Sequence, residues 1–324
     1  MPRNPRRFEK GRVYLITNRT AEGLPFVATI LINLFIYGII ARAISLHPQV
    51  KVCHFIFMGN HYHLLVVLKG DPDALKSFME YFDGETAKLI NRFRGRTGHN
   101  VWVKPYDAEA IITFEAALNK IIYIYLNPVT AGLLSSIKDY PGVSSWRFFF
   151  RKISRSYRFL GSAGLKRLPY GGITKKISCQ ILREKHENTR FQDKNLLLIH
   201  PYTWAECFDE GRSKTEEELR ELILQGIRDG EKSIKRQRNG KAVLGAHNLS
   251  RQCFHKRYKS KTYQRRSVCI STCSLLKDEF MKEYRDFVRL CREAWGLFKR
   301  TRGPVQWPPG AFPPTRVVFA SAFV

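Results

Sequence analysis

The chain has 324 residues, 44% of them hydrophobic, with 55 Lys and Arg against 28 Asp and Glu and a formal net charge of +27. That length allows one large domain or two modest ones, and the apolar content allows a sizeable core. A soluble protein with merely a charged face is the plainer reading; a balance this basic argues against it and points to a polyanionic partner, nucleic acid first. Residues 1–150 hold 18 basic and 11 acidic side chains, and residues 151–324 hold 37 and 17, so most of the positive charge lies in the C-terminal half.

In chain order, "VYLITNRT" (Val13–Thr20) reads as a strand ending in a turn or cap signal. "LPFVATILINLFIYGIIARAI" follows, apolar for about 18 residues, near the lower limit for a membrane span. Asn33 interrupts it and Arg42 closes it, so a helix over about 27–46 buried against a sheet is expected, with no membrane crossing. "QVKVCHFIFM" is a second strand, with Cys53, Phe55 and Phe57 on one face and Val52, His54 and Ile56 on the other. Gly59-Asn60 marks a tight turn, and "HYHLLVVLKG" is the returning strand. Asp71 to about Arg94 is helical, with Asp71 and Asp73 at its start and Leu75, Phe78, Met79, Phe82 and Ala87 as its apolar stripe. "AEAIITF" is a short strand, and Glu115 to about Leu126 a helix that Asn127-Pro128 interrupts or ends. The order β-α-β-β-α-β-α contains the split β-α-β arrangement of a ferredoxin-like sheet. The fold class expected is α+β: an antiparallel sheet with helices on one face, followed by a mostly helical basic extension.

After about residue 150 the texture changes. Residues 151–200 read as a basic linker or loose subdomain, and 201–324 as a helical basic extension. "KTEEELRELILQGIRDGEKSIKRQRNGKA" is a charged helix, and Phe280, Tyr284, Phe287, Cys291, Ala294 and Phe298 give a second, amphipathic one. Between them "RQCFHKRYKSKTYQRRS" interleaves cations with aromatics. Arg257, Tyr258, Lys259, Lys261, Tyr263, Arg265 and Arg266 there are candidates for phosphate contact and base stacking, against the plainer reading of a solvated basic loop. Seven scattered cysteines and no secretory leader suggest a reducing, cytoplasmic setting, nucleoid-associated if the partner is DNA. Cys253, His255, Cys269 and Cys273 can be forced into a zinc set, but no Cys-x-x-Cys pair supports it.

His61 and His63 project side by side from one strand face, where they can chelate a divalent ion or be two ordinary imidazoles. "NKIIYIYLNPVTAGLL" places Tyr123 and Asn127 at i and i+4 on one helical face. Two imidazoles, an amide oxygen and waters suit Mg²⁺ or Mn²⁺. Tyr125 lies on the far side of the helix from Tyr123, so only one of the two can face such an ion. Asn127 shares a face with Tyr123 and not with Tyr125, although it can also be a helix cap before Pro128. His54 reads as a satisfied sheet histidine.

His61-Tyr62-His63 after Met58-Gly59-Asn60, then Tyr123 to Val129 ("YIYLNPV"), then Asp139-Tyr140-Pro141 with Ser144-Ser145, together resemble the single-tyrosine HUH transposases. Within them the resemblance is to the REP-associated tyrosine transposases and related insertion-sequence transposases, in a long form. "TNRT" and "VWVKPY" (Val101–Tyr106) fall where that family has comparable segments, and "WPPGAFPP" (Trp307–Pro314) resembles the tail of its longer members. The resemblance covers about residues 8–150. It implies a ferredoxin-like fold, His61, His63 and Asn127 as metal ligands, and Tyr123 as nucleophile. It implies cleavage and rejoining of single-stranded or hairpin DNA through a 5′-phosphotyrosine. A homodimer is left open, because some relatives build each active site from two subunits. The alternative is a domesticated, catalytically silent nucleic-acid-binding protein of the same fold; a replication or conjugation initiator is weakened by the absence of helicase-like sequence.

Overall fold

The computed structural model describes residues 5–23, 26, 29–103, 105–170, 173–188, 194–256, 267–301 and 303–313. Four strands, β1 (Val13–Arg19), β2 (Val50–Phe57), β3 (His61–Leu68) and β4 (Asp107–Ile111), lie in the order β2-β3-β1-β4, each antiparallel to its neighbour. With α1 (Ile30–Leu46) after β1 and α2 (Pro72–Phe93) after β3, this is the expected ferredoxin-like order within an α+β chain. The Gly59-Asn60 turn joins β2 to β3, closed by Met58 N–H donating to the His61 carbonyl at 2.7 Å.

The turn fixes which β3 residues share a face, but β2 departs from simple alternation. Val52 pairs with Val66 and His54 with Leu65, so Cys53 is a bulged residue. The bulge puts Val52 on the opposite face from His54 and Ile56. The alternation expected from sequence therefore fails at one residue, and His54 joins the face of Leu65 and His63.

Helices α1 and α2 cover the face of Phe57 and Tyr62: Phe35 meets Phe93 between the helices, and Phe82 meets both Phe57 and Tyr62. The Thr29 side chain caps α1 by accepting from Ile32 N–H at 3.3 Å. Its length is apolar because further chain covers it as well. Beyond α3 (Phe114–Thr130) and α4 (Trp146–Arg151), β5 (Arg155–Arg158) pairs with β6 (Lys194–Leu197). The Tyr157 ring stacks on Tyr37 of α1 at 5.0 Å, and Gly38 lets the Arg158 carbonyl approach α1 closely. Among the described residues no helix is long and apolar enough to cross a membrane.

Helix α3 lies across the other face of the sheet, over His54 and His63. It runs through Pro128 to Thr130 rather than stopping at Leu126. Proline there, in the last turn, forfeits one backbone hydrogen bond, and the helix closes on Gly132 at φ +67, where Leu133 N–H reaches the Pro128 carbonyl at 2.9 Å.

The rest of the chain folds onto this frame. After α5 (Lys175–Asn188) and the short α6 (Asp209–Arg212), α7 (Glu216–Arg238) packs along α3. Gly226 and Gly230 of α7 face Ile122 and Leu126 of α3, where any Cβ would collide with a side-chain methyl. Thr215 and Glu218 form a capping box at the start of α7. Past α8 (Ala246–Ser250), β7 (Cys269–Ile270) adds parallel to β4 and makes the sheet mixed. The final helix, α9 (Ser274–Thr301), buries Phe280, Tyr284, Phe287, Cys291 and Ala294, the stripe read from sequence; Phe298 is half-buried.

Candidate active site

Strand β3 pairs with β1 in a register that sets Thr17 opposite His63 and Arg19 opposite His61. The two imidazoles project from one face with ring centroids 5.1 Å apart. His63 is fully buried, and its Nδ1 lies 2.8 Å from Thr17 Oγ1. His61, at the mouth of the hairpin, is half-buried and donates from Nδ1 to Asn60 Oδ1 at 3.0 Å. In both rings the backbone-proximal nitrogen is engaged by a neighbour, so any metal ligation falls to Nε2.

The Tyr123 ring meets His63 edge-on with centroids 5.4 Å apart, while 43% of the residue remains exposed. Lys120, one turn earlier, holds its ammonium 5.3 Å from the centre of the Tyr123 ring. Asn127, one turn later, is 8% exposed. The structure thus gathers His61, His63 and Tyr123 at ring contact. Among the described contacts the Asn127 amide is not joined to either imidazole.

Tyr125 occupies the opposite situation. It is completely buried, with its hydroxyl 2.7 Å from His54 Nδ1 and 2.9 Å from Ser145 Oγ. His54 Nε2 lies 2.9 Å from the Pro201 carbonyl. A carbonyl only accepts, so Nε2 carries the proton, Nδ1 accepts, and the Tyr125 hydroxyl donates to it. Burial pushes the His54 pKa down to about 3 and the Tyr125 phenol far up. This network is neutral and bolts α3 to β2. His54 belongs to it and not to the His61–His63 pair.

The segment Asp139–Trp146 seals the edge of β2. Ser145 N–H donates to the Phe55 carbonyl at 2.9 Å, Phe55 N–H to Ser145 Oγ at 2.8 Å, and the Tyr140 hydroxyl to the Phe57 carbonyl. Behind the histidines, on the α2 face, the Tyr62 hydroxyl donates to Asp83 Oδ1 at 2.5 Å and Asn18 Nδ2 to Asp83 Oδ2 at 2.9 Å. Burial raises the Asp83 pKa from 3.8 to about 7, against the opposing pull of those two hydrogen bonds and of Arg6.

Thr17, Lys120 and the Asp83 cluster are not among the residues expected from sequence. Lys120 stands three residues before Tyr123 and carries a readable signal. Thr17 and Asp83 do not, because they depend on pairing and packing across many residues. Residues Arg257, Tyr258, Lys259, Lys261, Tyr263, Arg265 and Arg266 lie outside the described residues. His255 Nε2 sits 2.7 Å from the Leu168 carbonyl, and no group of three or more His, Cys, Asp or Glu among the described residues is placed to hold a metal.

No protein-family model matches the chain, and no curated protein does. A solved structure to which part of the chain is similar is described as that of a REP-associated tyrosine transposase bound to a REP hairpin. The similarity spans 47% of this chain and 87% of that one, at 17% identity and a TM-score of 0.38.

Proposed function

We propose that this chain is a metal-dependent endonuclease and strand transferase for single-stranded or hairpin DNA, a transposase-type enzyme with Tyr123 as nucleophile. The observation that carries the reading is the half-exposed Tyr123 ring set against His63, beside His61. A phenol open to solvent and next to two imidazoles can meet a phosphodiester; the buried Tyr125 cannot.

The donor set fits a divalent cation. His61 and His63 would hold Mg²⁺ or Mn²⁺ through Nε2, with the Asn127 amide oxygen and waters completing the shell. When bound, such an ion would polarise a non-bridging phosphate oxygen and offset its developing charge. The chain's own residues do the rest. Thr17 Oγ1 lies 2.8 Å from His63 Nδ1 and would accept its proton when Nε2 binds the ion, which orients the ring. The Tyr123 oxygen attacks phosphorus in line, its proton passing to solvent. The P–O3′ bond breaks, the departing 3′ oxygen takes up a proton, and a 5′-phosphotyrosine remains. That ester conserves the phosphodiester, so a second 3′-hydroxyl can reverse the step on another strand. Lys120 adds a cation beside the entering phosphate. The basic region after residue 150 would hold flanking DNA.

Incubation of the chain with a labelled single-stranded hairpin and Mn²⁺, resolved on a denaturing gel, tests this. A covalent protein–DNA adduct that a chelator prevents is expected. Binding without any adduct overturns the enzyme and leaves the silent binder.

A further inference from the structure

Helix α9 docks through its first five turns. Tyr284 donates from its hydroxyl to the Pro5 carbonyl at 2.6 Å, and the guanidiniums of Arg12 and Arg7 lie over Phe280 and Phe287. Its last buried residue is Ala294. Beyond that point the helix carries Trp295, 41% exposed, stacked on Phe298 with ring centroids 5.8 Å apart. Trp307 returns to the same cluster, 6.3 Å from Trp295 and 6.5 Å from Phe298.

Exposed cations frame this tip. Arg292 precedes Trp295 by three residues and Lys299 follows it by four, so cation, indole and cation stand in one column, a helical turn apart. The Lys299 ammonium is 5.3 Å from the Trp295 ring. Arg300 is exposed beside it, and the nearby acid, Glu293, is paired with Arg289 at 3.0 Å. Trp307 is held from both sides. Prolines 304, 308 and 309 stiffen its segment, and farther on Phe312 packs edge-on to Phe8 at 5.2 Å. A tail seated only to cover apolar surface would bury Trp295; here the indole stays half open, with the Lys299 ammonium at its ring.

We infer that the Arg292–Trp295–Lys299 column, backed by Phe298 and Trp307, is a binding site for single-stranded DNA. One base stacks on Trp295 while Arg292 and Lys299 pair with the flanking phosphates. Alternating aromatic and cationic contacts suit a strand whose bases are unpaired, and every base offers a π-face. Lys299 over the ring is no obstacle, since an exposed cation–ring contact is weaker than a base–aromatic stack and the flexible ammonium then turns to phosphate. The choice of DNA as the strand rests on the proposed function.

The full chain carrying Tyr123→Phe, so that nothing is cleaved, is titrated against fluorescein-labelled oligothymidylate of about 20 nucleotides and read by anisotropy. Trp295→Ala should weaken binding about 10-fold and Trp295→Phe less. Arg292→Gln with Lys299→Gln should lower the slope of log affinity against log salt by about 1.4. Unchanged affinity in Trp295→Ala, or equal binding of a blunt duplex, overturns the site. Should Trp295→Ala melt early, the charge pair decides, and an unchanged salt slope overturns the site. Trp295→Ala with Tyr123 restored is also assayed for adduct on a short oligonucleotide. An adduct there with strand affinity unchanged refutes this site and leaves the Tyr123 chemistry standing.

Discussion

Thr17 Oγ1 lies 2.8 Å from Nδ1 of His63, its cross-strand neighbour. The contact holds a fully buried imidazole by its Nδ1. It ties the second strand residue of the His-x-His pair to the first strand of the fold.

Removing that partner should act on metal dependence before it acts on folding. Thr17→Val keeps the branched shape and deletes the hydroxyl. Loss of an outer partner of a metal-binding histidine typically costs 10–100-fold in affinity. The Mn²⁺ concentration giving half-maximal adduct should therefore rise by about 10–100-fold. An unchanged Mn²⁺ midpoint would remove Thr17 from the site.

Lys120 is half-buried on α3 one turn before Tyr123, with its ammonium near that ring. Lys120→Gln should slow adduct formation about 10-fold, because a cation close to the entering phosphate is lost. Lys120→Arg should recover most of the rate. Thermal melting of both variants, measured alongside, separates a loss of rate from a loss of fold. A rate equal to the parent's in Lys120→Gln would make the lysine a bystander.

The buried Tyr125 hydroxyl joins His54 to Ser145. Tyr125→Phe leaves His54 Nδ1 without its donor in the core, so stability should fall by about 1–3 kcal/mol. Urea unfolding measures this. The same variant should still form the adduct.

Asp83 gives a pH signature. Its folded pKa, about 7, lies above its ordinary 3.8, so the folded chain binds the proton more tightly than the unfolded one. Stability from this group is then full below about pH 4 and is lost as pH rises towards 7, with a slope of at most about 1.4 kcal/mol per pH unit. Asp83→Asn should flatten that part of the urea-midpoint profile. A parent profile that rises between pH 4 and 7 and is unaltered by Asp83→Asn would contradict the assignment.

The sequence makes local periodicity readable, and the frame follows from it. Strands β1 to β4, both covering helices and the His61–His63 face come from alternation, a Gly-Asn turn and an apolar stripe, all of which act within a few residues. The opposite settings of Tyr123 and Tyr125, one exposed and one buried, are also local, since two residues turn the helix by about 200°. The Cys53 bulge is not marked by any glycine or proline, so the facing of Val52 against His54 is visible only once β3 fixes the register. Pro128 misleads for the opposite reason: a helix-breaking residue costs little when the helix ends two residues later. The Gly226 and Gly230 contact with α3, the parallel addition of β7, and Thr17 opposite His63 join residues distant in sequence, and nothing at either partner announces the other.

The most direct measurement compares two single substitutions on one denaturing gel, with a labelled hairpin and Mn²⁺. Tyr123→Phe should abolish the covalent adduct while Tyr125→Phe, though less stable, retains it. An adduct that survives in Tyr123→Phe and disappears from a folded Tyr125→Phe would contradict the account.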